Sequence, residues 1–278
     1  MKTFLLILFC AFTAQAQFGL RSPGFVSKLN QAAPAAPPGG YFQGLVTTNG
    51  LISYWRMNEV SDGSGAVTRI DSWSGYNLTD NGNTASDAGI ITNAADFEDS
   101  STKYFSRADN AELSLGTNVS FSISAWCKLE SKPAVASILM AKDSGVSDGR
   151  EYYLGYSTSL DRFQFLLGRD NLTTSDACNS TNSGAISTNV WYFVVATWDT
   201  SLNRMSISVN AGAADVNGSK NTDPPDSTTA INIGRRGVGD FHFDGLIDEV
   251  SFWKNRVLST NDVSNLYNGG AGLDLGSP

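Results

Sequence analysis

The chain has 278 residues, 41% of them hydrophobic and 17% charged, and a net charge of −8. Its lysines and arginines are scattered, with only Arg235 and Arg236 adjacent. An acidic chain without a basic stripe repels a phosphate backbone, which argues against nucleic acid as a partner.

The first element stands outside the fold. Residues 1–16, MKTFLLILFCAFTAQA, place one basic residue before an apolar run and end in the small-residue pattern Ala14-Gln15-Ala16. That is the form of a secretory signal peptide, and its apolar run is too short for a stable membrane span. The expectation is a secreted protein with no transmembrane segment once the signal is removed. Residues 17–44 read as a tether, because the Ala/Pro/Gly run 32–40 cannot donate a regular hydrogen-bond ladder. Within it, residues 17–31 carry isolated apolar side chains that would suit docking on a surface or particle.

From Leu45 onward the pattern is β. Short runs such as GLISYWRMNE, FSISAWCKLE, RFQFLLGRD, WYFVVATWD and RMSISVNAG are rich in Ile, Val, Phe, Tyr and Trp, and Gly, Asn, Asp and Ser punctuate them. In RMSISVNAG, Met205, Ile207 and Val209 alternate strictly with Ser206, Ser208 and Asn210. One buried face per strand requires the sheets to stack in two layers. Near the end, LSTNDVSNLYNGG predicts one short helix, with Ser259 as N-cap, Asp262 completing a capping box, and Gly269 as the terminator. The domain is expected over 45–270, followed by a tail at 271–278. Behind the signal two cysteines remain, Cys127 in an alternating strand and Cys178 in a stretch that reads as a polar loop. In an oxidising compartment they could pair as a disulfide, and two free thiols are the open alternative.

Four stretches resemble the laminin-G-like jelly-roll family, in order along residues 45–270. They are GLISYWRMNE with the following Asp71, AADFEDSSTKYFSRADNAELSLGTNVSFSISAWCKLE, NVWYFVVATWD, and FDGLIDEVSFWKNRVLSTNDVSNLYNGG. The resemblance implies a concanavalin A-like fold, an all-β two-sheet antiparallel jelly-roll sandwich with a short C-terminal helix. That fold serves lectins and polysaccharide hydrolases alike, so function must be argued from the site.

Retaining hydrolases on this fold carry two glutamates on one strand, spaced E-x-D-x-x-E or E-x-D-x-E, because nucleophile and acid must flank the scissile bond about 5–5.5 Å apart. Here no two glutamates are close in sequence, and alternation puts Asp248 and Glu249 on opposite strand faces. No catalytic residue is therefore expected. The only histidine, His242, precedes the last strand in what reads as an exposed loop. The resemblance also implies a structural calcium where the last strand begins beside the end of the first, with Asp248 and Asn58 or Glu59 as ligands; the alternative is a hydrogen-bonded Asp248 that fixes the strand end. Sugar binding would use exposed aromatic rings. Trp73 and Tyr76, in the turn-rich DSWSGYN, are the first candidates, with Trp253 and His242 behind them. The function expected is non-catalytic recognition or adhesion, a glycan or a surface or matrix protein held by loops at one rim. The alternatives are a display protein anchored by residues 17–31 and, less favoured, a glycoside hydrolase.

Overall fold

The computed structural model describes residues 48–99, 103–145, 149–169, 175–218, 224–237, 239 and 241–276. The expected signal peptide and tether, with the candidate anchor 17–31, lie outside the described residues. Fifteen strands follow in chain order. The first five are β1 (Leu51–Trp55), β2 (Thr79–Asn81), β3 (Ala85–Ala88), β4 (Asn93–Phe97) and β5 (Tyr104–Arg107). The long central ones are β6 (Phe121–Leu129), β7 (Ser137–Asp143), β8 (Arg150–Ser157), β9 (Arg162–Gly168), β10 (Ser175–Asn179) and β11 (Trp191–Asp199). The last are β12 (Arg204–Val209), β13 (Asp215–Asn217), β14 (Ile231–Ile233) and β15 (Gly245–Lys254), before helix α1 (Thr260–Tyr267).

These strands form two antiparallel sheets. An eight-stranded sheet runs β13-β12-β11-β6-β15-β4-β3, with β1 beside the second half of β15, and a seven-stranded sheet runs β10-β9-β8-β7-β14-β5-β2. Alternation decides what lies between them. Ile123, Ala125 and Cys127 of β6, Val194, Ala196 and Trp198 of β11, and Met205 and Ile207 of β12 point inward. They meet Tyr152, Leu154 and Tyr156 of β8 and Phe163, Phe165 and Leu167 of β9 from the other layer. Such a core supplies the dominant stabilisation through apolar burial.

A second apolar cluster lies on the outer side of the eight-stranded sheet. Leu51, Tyr54, Trp126, Phe193, Val195 and Trp253 are covered there by Leu258, Val263 and Leu266 from α1 and its approach. The helix starts as its sequence predicts, with Ser259 accepting from the Asp262 amide and the Asp262 side chain accepting from the Ser259 amide. It ends one residue earlier than predicted, because Asn268 itself takes the left-handed conformation (φ 48°). Asn tolerates that region better than other non-glycine residues.

Two sequence expectations are corrected here. Cys178 lies in strand β10 rather than a loop, its thiol facing the core, and Cys127 is buried on β6 of the other sheet. Neither is disulfide-bonded, so no Cys127–Cys178 bridge ties the sheets, and the Cys178 thiol donates to Asp215 O. Burial holds the Cys127 thiol well above its ordinary pKa, which keeps it protonated. The second correction concerns β15. Its register with β6 slips between Asp248 and Ser251, and Glu249 takes φ 51°. This bulge brings both carboxylates to the side of the sheet that carries Tyr54 and Ile90, where unbroken alternation would separate them.

Candidate functional site

The rim loop at 71–77 is built around one carboxylate. Asp71 accepts the backbone N–H groups of Tyr54 and Trp73 on Oδ1 and those of Ser74 and Tyr76 on Oδ2, at 2.8–3.3 Å. The loop is thereby fixed, and its rings are already engaged. Trp73 is half-buried against the outer apolar cluster. Tyr76 packs on the inner core and lies under the Arg107 guanidinium at 5.0 Å. The other two aromatic candidates fail as exposed groups. Trp253 is fully buried beneath α1, its indole donating to Ser251 Oγ at 2.7 Å. His242 is buried at 6% exposure, drawn in because Phe243 beside it enters the core and its amide binds Gly234 O.

Asp248, Asn58 and Glu59 each accept from protein donors. Asp248 Oδ2 accepts the amides of Ile90 and Ile91 at 2.8 and 3.1 Å, and Asn58 Oδ1 accepts the amide of Asn93 and the hydroxyl of Thr92. Glu59 turns away to the Ile70 amide and the buried Arg69 guanidinium. Calcium takes six to eight oxygens, whereas among these three residues only Asp248 Oδ1 and Glu59 Oε2 are buried without a hydrogen bond, and Glu59 Oε2 faces the Arg69 guanidinium at 3.8 Å. Asp248 is instead the clasp of the turn at 89–91. Burial pushes its pKa up to about 8 despite the backbone amides of Ile90, Ile91 and Glu249. One acidic trio has metal-like spacing among the described residues, Asp96, Glu98 and Glu130, with one oxygen each within 4.8 Å of the others. Sequence distance hides it, because the three residues meet only where β4 and β6 flank β15.

Glu249 has no access to a substrate. Its carboxylate meets the Tyr54 hydroxyl beneath the C-terminal residues, and burial, with Asp274 nearby, raises its pKa far above the ordinary value. The void beside it, between Tyr54, Trp126, Leu266 and Leu273, measures about 10 Å³. That is room for about one water.

A groove lies elsewhere on the same sheet. It encloses about 580 Å³ over the outward residues of β11, β12 and β13, with the segment 257–260 as one wall and the β12–β13 hairpin as the other. Thr197 and Ser206 face each other across the floor with hydroxyls 2.6 Å apart, and the Ser208 hydroxyl donates to Gly212 O at 2.9 Å. Val195, Val216 and Val257 supply apolar patches, and Val216 is 59% exposed. The lining contains no carboxylate and no histidine. This volume falls in the range of small-ligand sites, and mixed hydroxyl and apolar walls suit a ligand with both kinds of surface.

With this geometry the comparisons can be placed. The Laminin_G_3 family model, described as the Concanavalin A-like lectin/glucanases superfamily, matches residues 99–264. No curated protein sequence matches. Among solved structures, the binding domain of botulinum neurotoxin serotype D is similar at 18% identity and TM-score 0.59, covering 79% of this chain and 52% of its own. Domain 4 of AbnA, a GH43 extracellular arabinanase from Geobacillus stearothermophilus solved with arabinotriose, gives 17% identity and TM-score 0.53, covering 77% and 97%. Trypanosoma rangeli sialidase gives 15% identity and TM-score 0.58, covering 86% of this chain and 36% of its own. The chain thus spans about half of the toxin domain and a third of the sialidase, and at these identities the likeness is one of fold. The family match covers more than half of the chain, and two antiparallel sheets closed by one short helix agree with it: the chain belongs to the Laminin_G_3 family of the concanavalin A-like lectin/glucanase superfamily.

Proposed function

We propose that this protein is a secreted, non-catalytic recognition module that holds a saccharide in the groove over β11–β13. The observation that carries the reading is the groove itself: about 580 Å³, floored by the Thr197, Ser206 and Ser208 hydroxyls, with apolar valines beside them and no acid in its lining. A sugar presents hydroxyls on its edges and C–H groups on its faces, so such a lining matches both. Glycoside hydrolysis needs two carboxylates flanking the bond, and the groove offers none, while Asp248 and Glu249 are buried away from it. The AbnA domain solved with arabinotriose supports the reading by fold only. The signal-like residues 1–16 support secretion.

A glycan-array screen of the protein against its Thr197→Val/Ser206→Ala variant tests this. Removing both partners of one hydroxyl pair is close to neutral for stability, so an unchanged melting temperature confirms an intact fold. Loss of most array binding in the variant is the expected result. Binding that is unaltered by the variant, or turnover of any bound glycan, would refute the reading.

A further inference from the structure

The outer face of the seven-stranded sheet carries a second trough, separate from the groove and independent of the function proposed for it. It encloses about 230 Å³ and is lined by Tyr104 and Ser106 of β5, Asn232 of β14, Thr229, Ser144 and Arg235. Strand alternation puts these side chains outward, since Phe105, Ile231 and Ile233 take the inward positions, and Ser106 lies directly across from Asn232. The Arg235 guanidinium stacks on the Tyr104 ring, 3.8 Å from its centroid, and one of its nitrogens donates to Gly237 O at 3.0 Å. It forms no ion pair with any described residue, and no carboxylate lines the trough.

Among the described residues no acid pairs with that cation. Asp143, whose segment runs beside Gly237, is fully buried and already shared: Arg236 approaches its Oδ2 at 3.1 Å and Arg150 approaches the same oxygen at 3.6 Å. Among the described residues, Arg150 and Arg236 face the single carboxylate of Asp143, and Arg235 stacks on Tyr104. Such a guanidinium, fixed in plane by an aromatic ring, is preorganised for a carboxylate, which it binds through two parallel N–H donors.

We infer that this trough binds a carboxylate-bearing saccharide, its acid on Arg235 and its hydroxyls on Ser106, Asn232 and Thr229. A bare inorganic anion would need donors alone. Asn232 offers an acceptor as well as donors, and Ser106 Oγ already accepts from Asn81 Nδ2 at 2.8 Å, which leaves its proton to give. The volume, about 230 Å³, admits a single acidic sugar ring with its carboxylate.

Calorimetric titration of the full chain with trigalacturonate and 3′-sialyllactose, beside trigalacturonate methyl ester and lactose, tests the assignment. At least about tenfold tighter binding of each acid than of its neutral counterpart is expected, from the strength of a charge-assisted hydrogen bond. Arg235→Gln should abolish that preference, Arg235→Lys should retain part of it, and Thr197→Val/Ser206→Ala should leave it intact. Equal affinity for acid and neutral partner, survival of the preference in Arg235→Gln, or no binding of either acid would overturn the inference. Loss of the preference in the Thr197→Val/Ser206→Ala variant would place the acid in the groove and overturn it too.

Discussion

Burial decides the charge of the two carboxylates that open the last strand's bulge. Asp248, with a pKa of about 8, and Glu249, held well above its ordinary value by burial, keep protons in the folded state that the unfolded chain releases near pH 4. A raised acid stabilises the fold fully below its unfolded pKa and loses that stabilisation as pH climbs toward the folded value. Folding free energy should therefore fall between about pH 5 and pH 8, by up to about 1.4 kcal/mol per pH unit for each group. Urea unfolding at pH 5, 6.5 and 8 reads the slope, and Asp248→Asn, which keeps an acceptor for Ile90 and Ile91, should flatten it. Stability that rises over this range would contradict the assignment. At this scale the sequence was a partial guide. Alternation placed Ser206 and Ser208 outward correctly, but the bulge at Glu249 breaks alternation, and nothing local in DEVS announces it. Trp253 and His242 are misread for a related reason: their burial comes from how neighbouring segments fold back, α1 over Trp253 and the core-bound Phe243 beside His242, which composition alone does not show.

Among the elements, α1 has the clearest sequence signature and a defined task. Its capping box satisfies helix-end donors, and its apolar face covers Trp126, Phe193 and Trp253 on the outer side of the sheet. Ser259→Ala should lower unfolding free energy by about 1 kcal/mol, measured by chemical denaturation, with Ser259→Asp recovering most of it. A change within error in both variants would show that tertiary packing alone sets the helix start. The long strands β6, β11, β12 and β15 were legible from their alternation and β-branched or aromatic content. Strands β2, β3, β10 and β13 were not. They are short, polar and sit at sheet ends, so their pairing is set by neighbours rather than by their own composition. Cys178 looked like a loop residue on that account.

For the whole molecule, the family signature made the sandwich readable, while the binding surfaces depend on contacts between distant segments. The groove's floor comes from residues 195–208 and one wall from 257–260, and the trough's members come from β5, β14 and its flanking segments, and the end of β7. Neither leaves a motif in one stretch of chain, and so the rim aromatics Trp73 and Tyr76 drew attention first. Their rings are already packed, whereas the two troughs lie open on opposite sheets. The measurement that tests this account most directly is an NMR chemical-shift map of the isotope-labelled protein with its strongest array glycan. The account predicts perturbations at Val195, Thr197, Ser206, Ser208, the hairpin 211–214 and Thr260. Perturbations confined to residues 71–77, with the β11–β13 groove unmoved, would contradict it.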